Sequence, residues 1–235
     1  MLKKLPIGIQ TFEKLRKENY LYIDKTKEAY ELIESGTIFY FLSRPRRFGK
    51  SLFLSTLASI FEGKKELFED LYIYDKWDWS KTYPVIKISW GGKNQSIKDL
   101  EIRLTENLLD NQKRLGIECE KDIDPQICFE RVIKQTAQKY NTQVVVLIDE
   151  YDKPILDVIE NKPQAQLHRE YIKGLYSTLK ENEEYIKFCF LTGVSKFSKA
   201  SIFSGLNMLQ DISLNPRYGN ICGYTGDDIE TTFEP

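Results

Sequence analysis

Arg44-Pro45-Arg46-Arg47-Phe48-Gly49-Lys50-Ser51 stands between an apolar run, Ile38-Phe39-Tyr40-Phe41-Leu42, and a segment that repeats Leu54, Leu57, Ala58 and Phe61 at i, i+3, i+4 and i+7. The order is strand, tight loop, helix start. Gly49-Lys50-Ser51 fills the second half of the phosphate-loop pattern G-x-x-x-x-G-K-[ST]. Gly49 lets the backbone approach an anion without a Cβ, and the amides and dipole of the helix start then face the charge. In that pattern Lys50 reaches the β- and γ-phosphates and Ser51 places its hydroxyl on Mg²⁺. The expected nucleotide-contacting set is Arg46, Arg47, Phe48, Gly49, Lys50, Ser51 and Leu52. Arg44 stands where the first glycine belongs. If that position needs φ > 0, a side chain there costs on the order of 1–2 kcal/mol, and Pro45 stiffens the turn. Arg44, Arg46 and Arg47 bring positive charge that can touch phosphate, pair with an acid or face a partner. Read alone, the stretch is equally a basic loop capping a helix.

A second signal lies about a hundred residues on. Val144-Val145-Val146-Leu147-Ile148 is a continuous aliphatic run, the mark of a strand covered on both faces. It runs straight into Asp149-Glu150. An apolar strand followed by D-E is the Walker B pattern, with the acids at the carboxyl end of a buried strand, where ligands bind in open α/β sheets. Asp149 is expected to share the Mg²⁺ shell with Ser51, and Glu150 to orient or deprotonate the attacking water. The pairing of the two motifs outweighs a chance G-K-S and two solvated acids. The adjacent glutamate favours the class of these proteins with an extra strand between the two motifs. A third strand, Phe188-Cys189-Phe190-Leu191, ends in Thr192, a hydroxyl placed to sense the γ-phosphate. Ser195 is the second choice for that role, and a plain turn of small residues remains open for either.

The remaining pattern is alternating. Asp24 caps a helix bearing Ala29, Leu32 and Ile33 that ends near Gly36. Strands are expected at 37–43, 84–90, 144–148 and 186–191, and helices from about 49 to Gly63 and over 97–115, 127–140 and 167–179. Residues 194–214 read as loop plus short helix, and 215–235 show no strong periodicity. The fold expectation is α/β: a P-loop NTPase three-layer sandwich with a mostly parallel central sheet and helices on both faces. Residues 1–36 form an N-terminal segment packed on the core, 37–214 the core, and 215–235 the start of a C-terminal extension.

Composition sets outer bounds. The 235 residues carry 34 Lys+Arg against 35 Asp+Glu, for a net charge of -1. That leaves no molecule-wide footprint for nucleic acid, although Arg44, Arg46 and Arg47 could act locally. Four cysteines without a CxxC pair argue against a zinc ribbon or a disulfide framework and fit a reducing cytoplasm. The single His168 excludes a multi-histidine metal site. No apolar run suits a membrane span, and the N-terminus lacks the apolar core of a signal peptide. Asn161-Lys162-Pro163-Gln164 resembles the N-K-x-D guanine reader only superficially, because Gln164 lacks the carboxylate and no buried strand precedes it. Lys196, Lys199 and Arg217 read as surface charge before phosphate ligands.

Taken together, these stretches resemble the AAA-ATPase-like family of bacterial proteins. The resemblance rests on Leu5-Pro6-Ile7-Gly8, Tyr22-Ile23-Asp24-Lys25-Thr26, the 44–51 loop with its arginine in the glycine position, and Leu147-Ile148-Asp149-Glu150-Tyr151-Asp152-Lys153-Pro154. It continues through Leu191-Thr192-Gly193-Val194-Ser195-Lys196-Phe197-Ser198, Ile202-Phe203-Ser204-Gly205-Leu206-Asn207 and Asp211-Ile212-Ser213-Leu214. It implies an AAA/signal-transduction NTPase-like core with Mg²⁺ and ATP or ADP as ligands, cytoplasmic, coupled to a protein partner or to a C-terminal nuclease-like (PD-(D/E)XK) module. Similar proteins continue into that module after Gly223-Tyr224-Thr225, so this chain is expected to stop short of it. No nuclease motif is visible. The expected function is Mg²⁺-dependent ATP binding and hydrolysis, with Lys50, Glu150 and Thr192 as the catalytic set. The alternative is a non-hydrolysing nucleotide-gated interaction module, associated or not with nucleic acid. The base-contacting residues are unreadable, with 7–22 as the nearest segment.

Overall fold

A computed structural model describes residues 3–120, 122–196 and 209–232. Its centre is a five-stranded sheet, β1 (Phe39–Ser43), β2 (Val85–Ser89), β3 (Val144–Asp149), β4 (Ile186–Gly193) and β5 (Gln210–Asp211), in the order β2-β3-β4-β1-β5. Every pairing is parallel. The expectation of a mostly parallel sheet is met in full. The strand inserted between the phosphate-loop strand and the D-E strand is β4, while β2 takes the outer edge beside β3.

Strand periodicity builds the two cores. Alternate side chains leave a strand on opposite faces. Phe39, Phe41, Ile86, Val146, Ile148 and Leu191 enter one apolar cluster. Their neighbours Tyr40, Leu42, Val145, Leu147, Phe188 and Phe190 enter the other. The first face is covered by α4 (Ile97–Leu115), α5 (Pro125–Tyr140) and α7 (Lys162–Glu181). The second is covered by α1 (Phe12–Lys17), α2 (Thr26–Glu34) and α3 (Lys50–Phe61). The three layers follow from this. Each fully buried Leu or Phe contributes about 1.5–3 kcal/mol, which is why β3, aliphatic on both faces, lies inside the sheet between β2 and β4.

Local signals set the helix ends. Ser96 and Asp99 form a reciprocal capping box at the start of α4, with Asp99 N donating to Ser96 Oγ at 3.2 Å and Ser96 N to Asp99 Oδ2 at 3.0 Å. Asp124 accepts from Gln126 N at 2.8 Å and Pro125 opens α5. Asn161 accepts from Gln164 N at 3.2 Å, so the Asn-Lys-Pro-Gln stretch is the cap of α7, and that helix starts earlier than the apolar pattern from Leu167 suggests. Two further helices, α6 (Lys153–Leu156) and α8 (Gly226–Thr232), are short. Beyond β5 the chain stays on the core, with Tyr218, Ile221 and Cys222 buried in the second cluster.

One expectation is corrected. Cys119 and Cys128 are joined in a disulfide, while Cys189 and Cys222 are free and buried. The turn between α4 and α5 folds Cys119 back onto the first turn of α5, where its N–H donates to Gln112 Oε1 at 2.8 Å. A separation of nine residues without a CxxC gives no pairing signal in sequence. His168 is fully buried, its Nδ1 against Pro154 O at 2.6 Å and its Nε2 against Gln164, a core histidine with satisfied ring nitrogens. Among the described residues no helix is long and apolar enough to cross a membrane.

Candidate functional site

The parallel register brings the chemistry to one edge. Ser43 pairs with Gly193 and Ser89 with Asp149, so β1 to β4 all release their chains at the same side of the sheet. There the 44–49 loop turns the chain into α3. Gly49 takes φ +87° as the N-cap, a left-handed conformation that glycine adopts without strain. Arg47 takes φ +63°, a strained position for a side chain. Arg44 is not among the positive-φ residues, so the arginine in the first-glycine position carries no such penalty.

A cavity of about 1050 Å³ opens over this edge. Residues 46–51, Asp149, Glu150 and Asp152 line its floor. The residues that the sequence places in two distant motifs meet directly: Ser51 Oγ donates to Asp149 Oδ2 at 2.5 Å across a separation of 98 residues. Thr192, fully buried one layer behind, donates to Asp149 Oδ1 at 2.6 Å. Asp149 is therefore gripped from α3 and from β4 at once. Leu52 also lines the cavity, and Phe48 stands half-exposed at its lip beside Gly223.

Lys50 is 8% exposed, and its ammonium donates to Arg44 O and Pro45 O, both at 2.9 Å. Burial pushes its pKa down, against the opposing pull of Asp149. Glu150 follows at φ +56° with its amide donating to Asp149 Oδ1 at 3.0 Å. Burial, then the charge of Asp149, pushes its carboxyl up. The floor thus sets the buried Lys50 ammonium close to Asp149, Glu150 and Asp152 in a half-dry setting.

The three arginines separate. The Arg44 guanidinium turns away from the cavity and donates to Ser43 O at 3.1 Å, Ser213 O at 2.5 Å and Tyr218 O at 3.2 Å. Arg46 and Arg47 are exposed on the cavity wall. Ser195 is drawn elsewhere: its N–H donates to Asp152 Oδ2 at 2.6 Å and its carbonyl accepts from Tyr151. Lys196 pairs with Asp211, and Arg217 with Glu31 at 2.8 Å. Lys199 lies outside the described residues.

Sequence reasoning missed two parts of the site. Asp152 is 1% exposed beside the D-E pair, and its acidic type at the second position after Glu150 was the available signal. The upper walls come from the two flanks of the core: Ile7, Gly8, Ile9 and Tyr22 on one side, Ile221, Cys222, Gly223 and Tyr224 on the other. The first of these lies within the 7–22 segment named above, and the second, although it includes Gly223 and Tyr224 of the family-like stretch, had no site role read for it. Lys25 on the same wall pairs with Asp228 of α8 at 3.1 Å.

Comparison with known proteins agrees with this architecture. A relative from Azotobacter chroococcum mcd 1, "Uncharacterized protein in vnfD 5'region", is 50% identical over 235 residues, covering 99% of this chain and 45% of its own length. The chain therefore spans less than half of that relative. The family described as Predicted AAA-ATPase matches residues 6–203, which take in the phosphate loop, the D-E strand and the strand between them. On that match the chain belongs to the predicted AAA-ATPase family.

Proposed function

We propose that this chain is a Mg²⁺-dependent ATPase domain that couples its nucleotide state to a partner or an attached module. The observation that carries the reading is the convergence of Lys50, Ser51, Asp149 and Glu150 on one cavity floor, with Ser51 and Asp149 in direct contact. Family membership supports nucleotide binding and hydrolysis in general terms.

The loop amides and the N-terminus of α3 receive the β- and γ-phosphates. Lys50 exchanges its two loop carbonyls for phosphate oxygens, so its buried charge gains a stronger partner than a neutral carbonyl. Ser51 and Asp149 present a hydroxyl and a carboxylate, the oxygen donors that Mg²⁺ prefers. Among the described residues no group of three His, Cys, Asp or Glu converges for a metal. A hydroxyl with one carboxylate suits an ion that arrives on the phosphates. Bound there, Mg²⁺ supplies charge neutralisation at the transferring phosphoryl group. Glu150 orients the water that attacks the γ-phosphorus and takes its proton as the bond to the β–γ bridging oxygen breaks. A carboxyl raised by burial is the better base for this. Thr192 acts through Asp149, holding the carboxylate to which it donates. The apolar walls from Ile7, Ile9, Tyr22, Ile221 and Tyr224 form the compartment for the base. ATP is favoured over GTP because Asn161-Lys162-Pro163-Gln164 is spent on capping α7 and does not line this cavity.

Calorimetry with ATP, ADP and GTP, with and without Mg²⁺, tests binding. Lys50→Ala is expected to abolish it, and Glu150→Gln to retain it while phosphate release stops. Undiminished ATP binding by Lys50→Ala refutes the placement of the triphosphate. Hydrolysis at the wild-type rate by Glu150→Gln removes Glu150 from its role. Steady ATP binding by the wild type without phosphate release, with or without a partner, selects a nucleotide-gated module that does not hydrolyse.

A further inference from the structure

Glu150 sits in a conformation that side chains avoid, so something must hold it there. The ties are on the next two residues. Tyr151 N donates to Thr192 O at 2.9 Å, and its hydroxyl to Ser195 O at 2.8 Å. Asp152 Oδ2 accepts from Val194 N at 3.0 Å and Ser195 N at 2.6 Å. Gly193 completes the interlock: a Cβ there would lie 2.5 Å from the Tyr151 ring and 2.7 Å from Asp152 Oδ1. No positive φ demands glycine at 193, so its requirement is space alone. The turn after β3 and the turn after β4 are thus fastened by a buried carboxylate that reads two consecutive amides.

We infer that Asp152 is a positioning residue for the hydrolysis proposed above: it fixes Glu150 against the 192–195 segment, so that the water-orienting carboxylate and the hydroxyl on Asp149 keep one mutual geometry. This rests on the ATPase reading. A carboxylate that is 1% exposed is disfavoured unless its lone pairs are used. Burial does push the Asp152 carboxyl up, partly offset by the Ser195 and Val194 amides. Those two amides would otherwise lack a protein acceptor in a half-buried turn. The pairing therefore serves both partners, and losing it frees Glu150 to relax from its left-handed conformation.

The test combines kinetics with amide exchange on the intact chain. Asp152→Ala is expected to lower kcat about 10–100-fold with KM for ATP changed less than about threefold, as misplacement of a water-orienting group does. It should also accelerate exchange at Val194 and Ser195 while the central strands keep their protection. Asp152→Asn keeps an acceptor and should recover most of both properties. Gly193→Ala should resemble Asp152→Ala by pushing Tyr151 and Asp152 off the turn. Wild-type kcat in Asp152→Ala overturns the proposal, as does a loss that Asp152→Asn fails to relieve. A wild-type chain that binds ATP but never releases phosphate sinks the hydrolysis reading instead. The tie is then judged by exchange alone, and unchanged exchange at 194–195 in both Asp152 variants overturns it too.

Discussion

Replacing Arg44 with alanine should damage the fold locally and leave phosphate binding largely in place. The guanidinium makes two long-range bonds, to Ser213 O at 2.5 Å and Tyr218 O at 3.2 Å, besides the bond to its neighbour Ser43. A hydrogen bond from a charged donor contributes about 1.5–3 kcal/mol. The site is only partly buried and water can reach the freed carbonyls, so the two together amount to roughly 2 kcal/mol. For a chain of this size each kcal/mol moves Tm by about 2–4 °C, which gives a fall of about 4–8 °C. The loss should concentrate in residues 209–222, which Arg44 fastens to the end of β1. Calorimetric melting and amide exchange read both effects, and titration with ATP reads affinity, expected to weaken by less than about fivefold. Lys presents one ammonium in place of a planar fork, so Arg44→Lys should recover only part of the stability. If Arg44→Ala keeps its Tm but loses ATP affinity as completely as Lys50→Ala, the clamp is misread and Arg44 is a phosphate ligand.

Other consequences are open to direct measurement. Gly49→Ala places a Cβ at φ +87°, which should destabilise the chain by about 1–2 kcal/mol and weaken ATP binding, and an unchanged melt would show that the loop relaxes freely. The Glu150 carboxyl is raised when folded, so the folded state holds its proton more tightly than the unfolded chain does. Stability linked to Glu150 is therefore present at low pH and lost as pH rises through the raised value. Glu150→Gln should gain Tm over wild type progressively as pH rises above the ordinary carboxylate range in ligand-free melts, and a constant difference would refute that link. Glu13 has the opposite sign: hydrogen bonds from Lys17 and Lys64 hold it at about 2 against a usual 4.5. Its contribution is present above the usual value and is lost as pH falls toward about 2. Because the Glu13 side chain is 35% exposed, Glu13→Gln should lose less than about 1 kcal/mol near neutrality, and still less in high salt.

Much of this architecture is legible in the chain, for reasons that differ by element. β3 is visible because only a strand covered on both faces runs as uninterrupted valine, leucine and isoleucine. The helix expected over 97–115 matches α4, because an apolar stripe, a serine cap and a terminal glycine all agree there. Gly49, Lys50, Ser51, Asp149 and Glu150 are legible as candidates because the two motifs fix those residue types at the start of a helix and the end of a strand, and the fold brings them to one cavity. The two residues of β5 are invisible, since they are held by backbone pairing to Tyr40 and Phe41 rather than by any periodicity of their own. The short helices α1, α6 and α8 fall below the length at which an apolar stripe can be counted.

Local rules, then, act through neighbours a few positions apart, and they carry the strands, the longer helices, their caps and the two motifs. Contacts between distant segments answer to packing and have no such signature. Only the folded chain shows that Arg44 grips Ser213 and Tyr218 instead of facing the cavity, that Asp152 fastens the turns after β3 and β4, and that Cys119 meets Cys128. The same holds for the cavity walls, where residues near 7 and near 222 come together. Which side chains share a buried space depends on strand order and register, and those are settled by how all the apolar faces are covered at once.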